Sequence, residues 1–117
     1  MAHRKLKKVL ITGANGFIGN KLMAHYQAQG IPVVGVDLSG NGEDIFQGDI
    51  GQPETISQLL QECDVVVHTA ALVSNSIADA DMWRVNVLAT RNLIAAAEKH
   101  KVRRFVQISS IVAYGNS

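Results

Sequence analysis

An apolar run, Val9-Leu10-Ile11, leads directly into Thr12-Gly13-Ala14-Asn15-Gly16-Phe17-Ile18-Gly19, and from Ile18 onward apolar residues recur with helical spacing. Glycines at this interval, set between a strand-like and a helix-like segment, leave the backbone few conformations. Glycine permits a sharp turn and lets the main chain pass close to a bound group. The first amides of the following helix lack partners within it and lie at the positive end of its dipole, so they favour a negative charge. Strand, loop and helix together read as a cradle for a dinucleotide's pyrophosphate. The spacing is G-x-x-G-x-x-G rather than the G-x-G-x-x-G of the common fingerprint, so the rest of the chain has to carry the assignment.

Short apolar runs alternate with helical patterns along the remaining sequence. Leu6 to Thr12 reads as a first strand, and Ile18, Leu22, Met23 and Tyr26 mark one face of a helix that Gly30 closes. Pro32 to Asp37 reads as a second strand and Ile45 to Gln47 as a short third, after the turn-rich Ser39-Gly40-Asn41-Gly42. Pro53 suits the first turn of a helix whose apolar side is Ile56, Leu59 and Leu60. Val65 to Ala70 is a continuous apolar strand of the kind a sheet covered on both faces requires. A longer helix spans about Asp79 to His100, with Met82, Trp83, Val85, Leu93, Ile94 and Ala97 among its apolar positions, and Arg104 to Ser109 supplies a fifth strand. This succession predicts a single α/β domain over residues 1–117, a doubly wound, Rossmann-like parallel sheet in the order 3-2-1-4-5. In such a sheet ligands bind where the strand order reverses, between the carboxyl ends of strands one and four.

The 117 residues are 47% hydrophobic and 18% charged, with a formal net charge of +1, so no field marks the chain for nucleic acid or an anionic membrane. The basic stretch His3-Arg4-Lys5-Leu6-Lys7-Lys8 reads as a solvated entry to the first strand, since no aromatic residues interleave it. No apolar stretch reaches the roughly 20 residues of a membrane span. Cys63 has no partner for an internal disulfide and the N-terminus does not resemble a secretory signal, so a reducing cytoplasm is expected. His3, His25, His68, His100 and Cys63 show no metal-ligand spacing. His68, inside an apolar strand, reads as a hydrogen-bonded core residue and is assigned no chemistry.

Asp37 closes the second strand eighteen residues after Gly19, near the offset of an acid that accepts hydrogen bonds from an adenosine ribose. A carboxylate there repels a 2′-phosphate, and Leu38-Ser39 supplies no arginine, which favours NAD over NADP. A turn aspartate is the other reading of the same residue.

With these features in place the sequence resembles the extended short-chain dehydrogenase/reductase superfamily, in its branch of NAD-dependent epimerases and dehydratases acting largely on nucleotide sugars. Thr12 to Gly19 is similar to that branch's T-G-x-x-G-F-x-G loop, and Val67-His68-Thr69-Ala70-Ala71 to its H-x-A-A segment. Asn86-Val87 with Thr90-Arg91-Asn92-Leu93 resembles N-V-x-x-T-x-N-L, and Ile108 to Gly115 resembles S-S-x-x-V-Y-G with Ala113 in place of the usual valine. The resemblance implies that Gly13, Asn15, Gly16, Phe17, Ile18 and Gly19 take the diphosphate, and that Asp37 and Leu38 lie at the ribose. Asp49 and Ile50, in Gly48-Asp49-Ile50, would meet the adenine, although Asp49 also suits a turn. Thr69, Ala70, Ala71, Asn86 and Ser109 would line the path toward the nicotinamide, and Ser110 matches the serine that polarises substrate.

The family's acid/base pair, Y-x-x-x-K, supplies the proton transfer that accompanies hydride transfer at a secondary alcohol. Tyr26 is followed by Gly30 at the fourth position, and Tyr114 has only three residues after it. In the family that pair, two further strands and a substrate lobe follow the last motif seen here. The expectation is therefore a chain that binds NAD as a dinucleotide partner but is not a catalyst by itself, with nucleotide sugar as the substrate of a longer form. A non-catalytic nucleotide-binding module or fold fragment that self-associates is the alternative. An uncovered fifth strand and an unpartnered helix face at residues 79–100 would favour a homo-oligomer.

Overall fold

The computed structural model describes residues 8–38, 44–50, 52–73 and 77–112. Its elements run β1 (Val9–Thr12), α1 (Phe17–Ala28), β2 (Val33–Asp37), β3 (Ile45–Gln47), α2 (Pro53–Leu60), β4 (Val65–Val73), α3 (Ile77–Lys99) and β5 (Arg104–Val112). The five strands form one sheet in the order β3-β2-β1-β4-β5, every pairing parallel. β1 lies at the centre, with Val9 to Thr12 opposite Val33 to Val36 on one side and Val65 to His68 on the other.

Period-two alternation of side chains sorts the strands onto two cores. Leu10, Val34, Val36 and Val66 face Ile56, Leu59 and Leu60 of α2 and Leu93 of α3. Val9, Ile11 and Val67 face the other way, where Met23 of α1 and Ala14 complete the second core. Burial on both faces explains why β1 reads as an unbroken apolar run. α1 covers only part of its face. Beyond it the sheet borders an open groove of about 450 Å³ lined by Leu22, Tyr26, Val65, Val67, Val106 and Ile108.

Several boundaries differ from the sequence reading. β1 begins at Val9, and Leu6 and Lys7 lie outside the described residues, as do residues 39–43 and Tyr114. β4 and β5 run three residues further than their apolar patterns suggest, in continuous register from Val65↔Arg104 to Val73↔Val112. Pairing with a neighbouring strand overrides the weak local propensity of Ala70-Ala71 and Ser109-Ser110. α3 starts at Ile77 rather than Asp79. Ile94, one of the apolar positions of that helix, lies on its exposed surface, as do Val87 and Leu88.

Both long helices end in a left-handed residue, which lets a later amide reach back to an orphaned carbonyl. Gly30 does so after α1 at φ +73°, with Ile31 N–H donating to Tyr26 O. After α3 the position falls to Lys101 at φ +59°, with Val102 N–H donating to Ala97 O. A side chain is strained there where glycine is not. Lys101→Gly is expected to raise stability by about 0.5–1 kcal/mol, read as a higher denaturation midpoint at unchanged slope.

Candidate dinucleotide site

The strand order reverses between β1 and β4, and the residues of interest gather at the carboxyl ends of those strands. The chain leaves β1 at Thr12, turns through Gly13 at φ +65°, and enters α1 after Gly16. Gly16 N–H closes the turn onto Gly13 O at 3.0 Å. The packing here leaves no room for added carbon. A Cβ on Gly19 would stand 2.1 Å from Gly13 O and 2.9 Å from the Ala14 Cα, and one on Gly13 would stand 2.4 Å from Thr69 Oγ1. Gly13 is constrained twice, by its backbone angle and by its neighbour, whereas Gly19 lets the first turn of α1 settle against the loop.

The N-terminus of α1 is open in a chemical sense. Gly16 stands at the cap position, and no side chain hydrogen-bonds the helix end. Its first amides and the dipole they terminate are therefore directed at whatever occupies the space ahead of them. Phe17, at the first helical position, is 79% exposed, and the Lys21 ammonium sits 4.5 Å from its ring centroid. Ile18 is half-buried.

β2 braces the loop from the side. Ala14 N–H donates to Val36 O at 3.3 Å, and Asn15 N–H donates to Asp37 Oδ2 at 3.0 Å. Asp37 is half-buried at the strand end, with Leu38 exposed beside it. Its backbone carbonyl also accepts Gly48 N–H, which draws the exit of β3 alongside. Asp49 follows on the surface, and Ile50 packs against the core shared by α2 and α3. A further glycine, absent from the sequence reading, matters here. A Cβ on Gly35 would stand 2.5 Å from the Ala14 Cβ, so Gly35 is what allows the loop to lie flat on β2.

On the other side β4 is tied to β1 by side chains. Thr69 Oγ1–H donates to Thr12 O at 2.7 Å, with a longer approach of 3.4 Å to Gly13 O, and Thr69 N–H donates to Thr12 Oγ1 at 3.2 Å. His68, 3% exposed, places Nδ1 2.5 Å from Thr12 Oγ1 and Nε2 2.8 Å from Thr90 Oγ1 on α3. His68 is the hydrogen-bonded core residue its position suggests, and Thr12 and Thr90, which the sequence shows only as motif positions, are its partners. The available signal was polar residues recurring inside apolar segments, Thr12 on β1, His68 and Thr69 on β4 and Thr90 on α3. Ala70 and Ala71 on β4 are paired with Ser109 and Ser110 on β5, and Asn86 lies on α3. These five are placed by their backbone, and their side chains are outside the described residues.

The described residues contain no group of three or more His, Cys, Asp or Glu able to hold a metal, and no helix among them is long and apolar enough to cross a membrane. Cys63 is buried, its Sγ–H donating to Val65 O at 3.1 Å, and burial pushes its thiol pKa up.

Comparison with known proteins matches this geometry. The model of the NAD dependent epimerase/dehydratase family matches residues 9–117. Among curated proteins, a 4-hydroxy-2-methyl-3-oxo-4-farnesyl-3,4-dihydroquinoline-1-oxide ketoreductase of Stigmatella aurantiaca is 32% identical over 111 residues, covering 88% of this chain and 33% of that protein. Among solved structures, a short-chain dehydrogenase/reductase superfamily protein from Agrobacterium tumefaciens with bound NAD superposes with a TM-score of 0.77 at 36% identity, over 86% of this chain and 31% of its own. The Thermus thermophilus UDP-glucose 4-epimerase in complex with NAD gives a TM-score of 0.69 at 27% identity, over 84% and 36%. The chain spans about a third of the length of the relatives it matches.

Burial holds the His68 pKa below its ordinary value of 6.5. The unfolded chain therefore takes up that proton first, so the stability tied to neutral His68 is complete above about pH 6.5 and is lost as the pH falls below it. Denaturation of the wild type and His68→Gln across this range is expected to show a slope of up to about 1.4 kcal/mol per pH unit that is smaller in the variant.

Proposed function

The chain belongs to the NAD-dependent epimerase/dehydratase family, and we propose that residues 1–117 are a single NAD-binding domain of such an enzyme. What carries the reading is the cradle at Gly13 and Gly19, where a Cβ is excluded and the start of α1 is uncapped. An uncapped helix start bordered by glycine backbone accommodates a diphosphate without a charged side chain. In this reading Gly13, Asn15, Gly16, Phe17, Ile18 and Gly19 surround the diphosphate, which the amides at the start of α1 receive, while the Asn15 and Gly16 amides are donated within the protein and hold the turn in shape. Asp37 holds the adenosine ribose beside Leu38, and Asp49 and Ile50 border the adenine. Thr69, Ala70, Ala71, Asn86 and Ser109 flank the nicotinamide side, with Ser110 orienting a substrate oxygen.

When bound, NAD supplies a hydride acceptor for oxidation of a secondary alcohol. This chain's residues bind and orient it. The substrate proposed for the longer enzyme is a nucleotide sugar or another secondary alcohol, supported by the UDP-glucose 4-epimerase and ketoreductase relatives. The 117 residues contain no Tyr followed by Lys at the fourth position, which favours binding without turnover for this stretch by itself. Purified chain incubated with NAD and UDP-glucose is accordingly expected to bind cofactor and form neither NADH nor an oxidised or epimerised sugar.

Asp37 is proposed to set the preference for NAD over NADP, and it has two separable roles. In this reading its charge meets the ribose, and its Oδ2 holds the loop at Asn15 N–H. Asp37→Ala removes both and is expected to weaken NAD binding by about 10- to 100-fold, the range of a hydrogen bond to a charged group. Asp37→Asn keeps an acceptor oxygen but not the charge, so it should chiefly narrow the gap between NAD and NADP. Calorimetric titration with both nucleotides checks each outcome, and equal affinity of the wild type for the two would refute the preference.

For assembly, we propose that a second copy of the chain covers the edge strand β5 and, on the other face of the sheet, the exposed apolar residues of α3. Val106 on β5, which is the edge of the described sheet, and Val87 and Leu88 on α3 are all exposed. Edge strands with apolar side chains favour pairing with another chain. Light scattering over a concentration series is expected to show a rising mass, and a monomer throughout would exclude this.

A further inference from the structure

We propose that His68 is a positioning residue for the dinucleotide site: a neutral imidazole, protonated on Nε2, that fixes the β1–α1 loop through Thr12 and Thr69 and ties it to α3 through Thr90. The inference rests on the proposed cofactor site and adds to it a part that touches no cofactor.

Counting protons assigns the tautomer. Thr12 is 1% exposed, so its hydroxyl has to satisfy its hydrogen bonds within the protein. One lone pair of Thr12 Oγ1 accepts Thr69 N–H. The hydroxyl proton then has the unprotonated Nδ1 of His68 as its acceptor, at 2.5 Å. With Nδ1 accepting, the ring proton is on Nε2, and it is donated to Thr90 Oγ1 at 2.8 Å. The opposite tautomer would direct two donors at Thr12 Oγ1 and leave a buried hydroxyl proton unused, which is costly in a dry site. Every described buried side-chain nitrogen and oxygen has a partner, as this assignment requires. Burial also favours the uncharged ring.

The relay ends on the loop. Thr69 Oγ1, which occupies the space a Gly13 Cβ would need, donates to Thr12 O and approaches Gly13 O. Thr12 Oγ1 is the atom shared between that clasp and the imidazole. The far end of the relay is on α3, four residues beyond Asn86, in the helix proposed to serve the nicotinamide side. A neutral ring with an acceptor on one nitrogen and a donor on the other thus joins the two halves of the site. A purely apolar residue of similar size would fill the same space and join nothing.

Three measurements on the chain test this. The imidazole nitrogen shifts of wild type by NMR are expected to report a neutral ring with the proton on Nε2 at pH 7.5, and the opposite tautomer would overturn the proposal. His68→Leu keeps apolar volume and removes both bonds. Its Ala14 and Gly16 amides are expected to exchange about fivefold to tenfold faster, with Val34 and Val36 unchanged and NAD binding weakened by a similar factor. His68→Asn, whose amide oxygen stands where Nδ1 does, is expected to restore the loop amides, a rescue that a space-filling role would not produce. Unchanged loop exchange in His68→Leu would overturn the proposal. Should that variant not fold, Thr90→Val removes only the far bond and is expected to weaken NAD binding about threefold, with no change counting against the role. Exchange and nitrogen shifts need no cofactor, so failure of wild type to bind NAD would overturn the proposed function alone.

Discussion

The approach of Gly13 O to the backbone of Gly19 is the contact on which the site depends. It lets α1 begin with only four residues between it and the last residue of β1, the first turn of the helix resting on the loop that joins them. A methyl group at Gly19 would stand 2.1 Å from that oxygen, well inside any tolerable separation, so helix and loop would have to part. The neighbouring supports act on the same few atoms. β2 holds Ala14 and Asn15 through Val36 O and Asp37 Oδ2, and β4 holds Thr12 and Gly13 through Thr69. The loop is braced from both adjacent strands and has little freedom to lose on taking up a ligand, which lowers the entropic cost of binding.

Those braces work because the sheet beneath them is parallel and covered. β1 is buried on both faces, so its register with β2 and β4 is fixed by two cores at once. A slip of one residue would exchange Leu10 with Ile11 between cores of different shape and move Thr12 away from His68. The polar cluster at the strand ends and the apolar cores beneath it therefore enforce the same alignment, and neither has to act alone. Agreement between local and global demands of this kind distinguishes a well-specified fold.

Much of this was legible in the residues. The five-strand order follows from a succession of apolar runs and helical spacings, and with it the reversal between the carboxyl ends of β1 and β4. What escaped notice has physical causes. The ends of β4 and β5 were set short because Ala70-Ala71 and Ser109-Ser110 have little strand propensity, and only pairing along nine residues extends them. Gly35 went unnoticed because a glycine in a strand has no local signature, and its purpose is clear only once Ala14 is seen against it. Thr12 and Thr90 are 78 positions apart and share one histidine, a relation that no periodicity carries. On α3, Ile94, Val87 and Leu88 are apolar yet exposed while Leu93 and Ala97 are buried, so spacing alone does not identify the buried stripe.

The start of α1 shows what the loop gives up. A serine, threonine or aspartate at the cap position would satisfy one of the open amides and stabilise the helix by about 1 kcal/mol. The chain instead places Gly16 there, with no side-chain cap, and no acidic residue in the first turn to complement the dipole. At α2, where no ligand is proposed, Pro53 and Glu54 occupy the first turn, and both suit a helix start on their own account. A helix that forgoes these stabilising groups while its neighbours are so closely packed leaves its amides available to a partner from outside the chain. An anion at that end would complete the helix, so the interaction proposed to hold a diphosphate would also recover the stability that the bare N-terminus lacks.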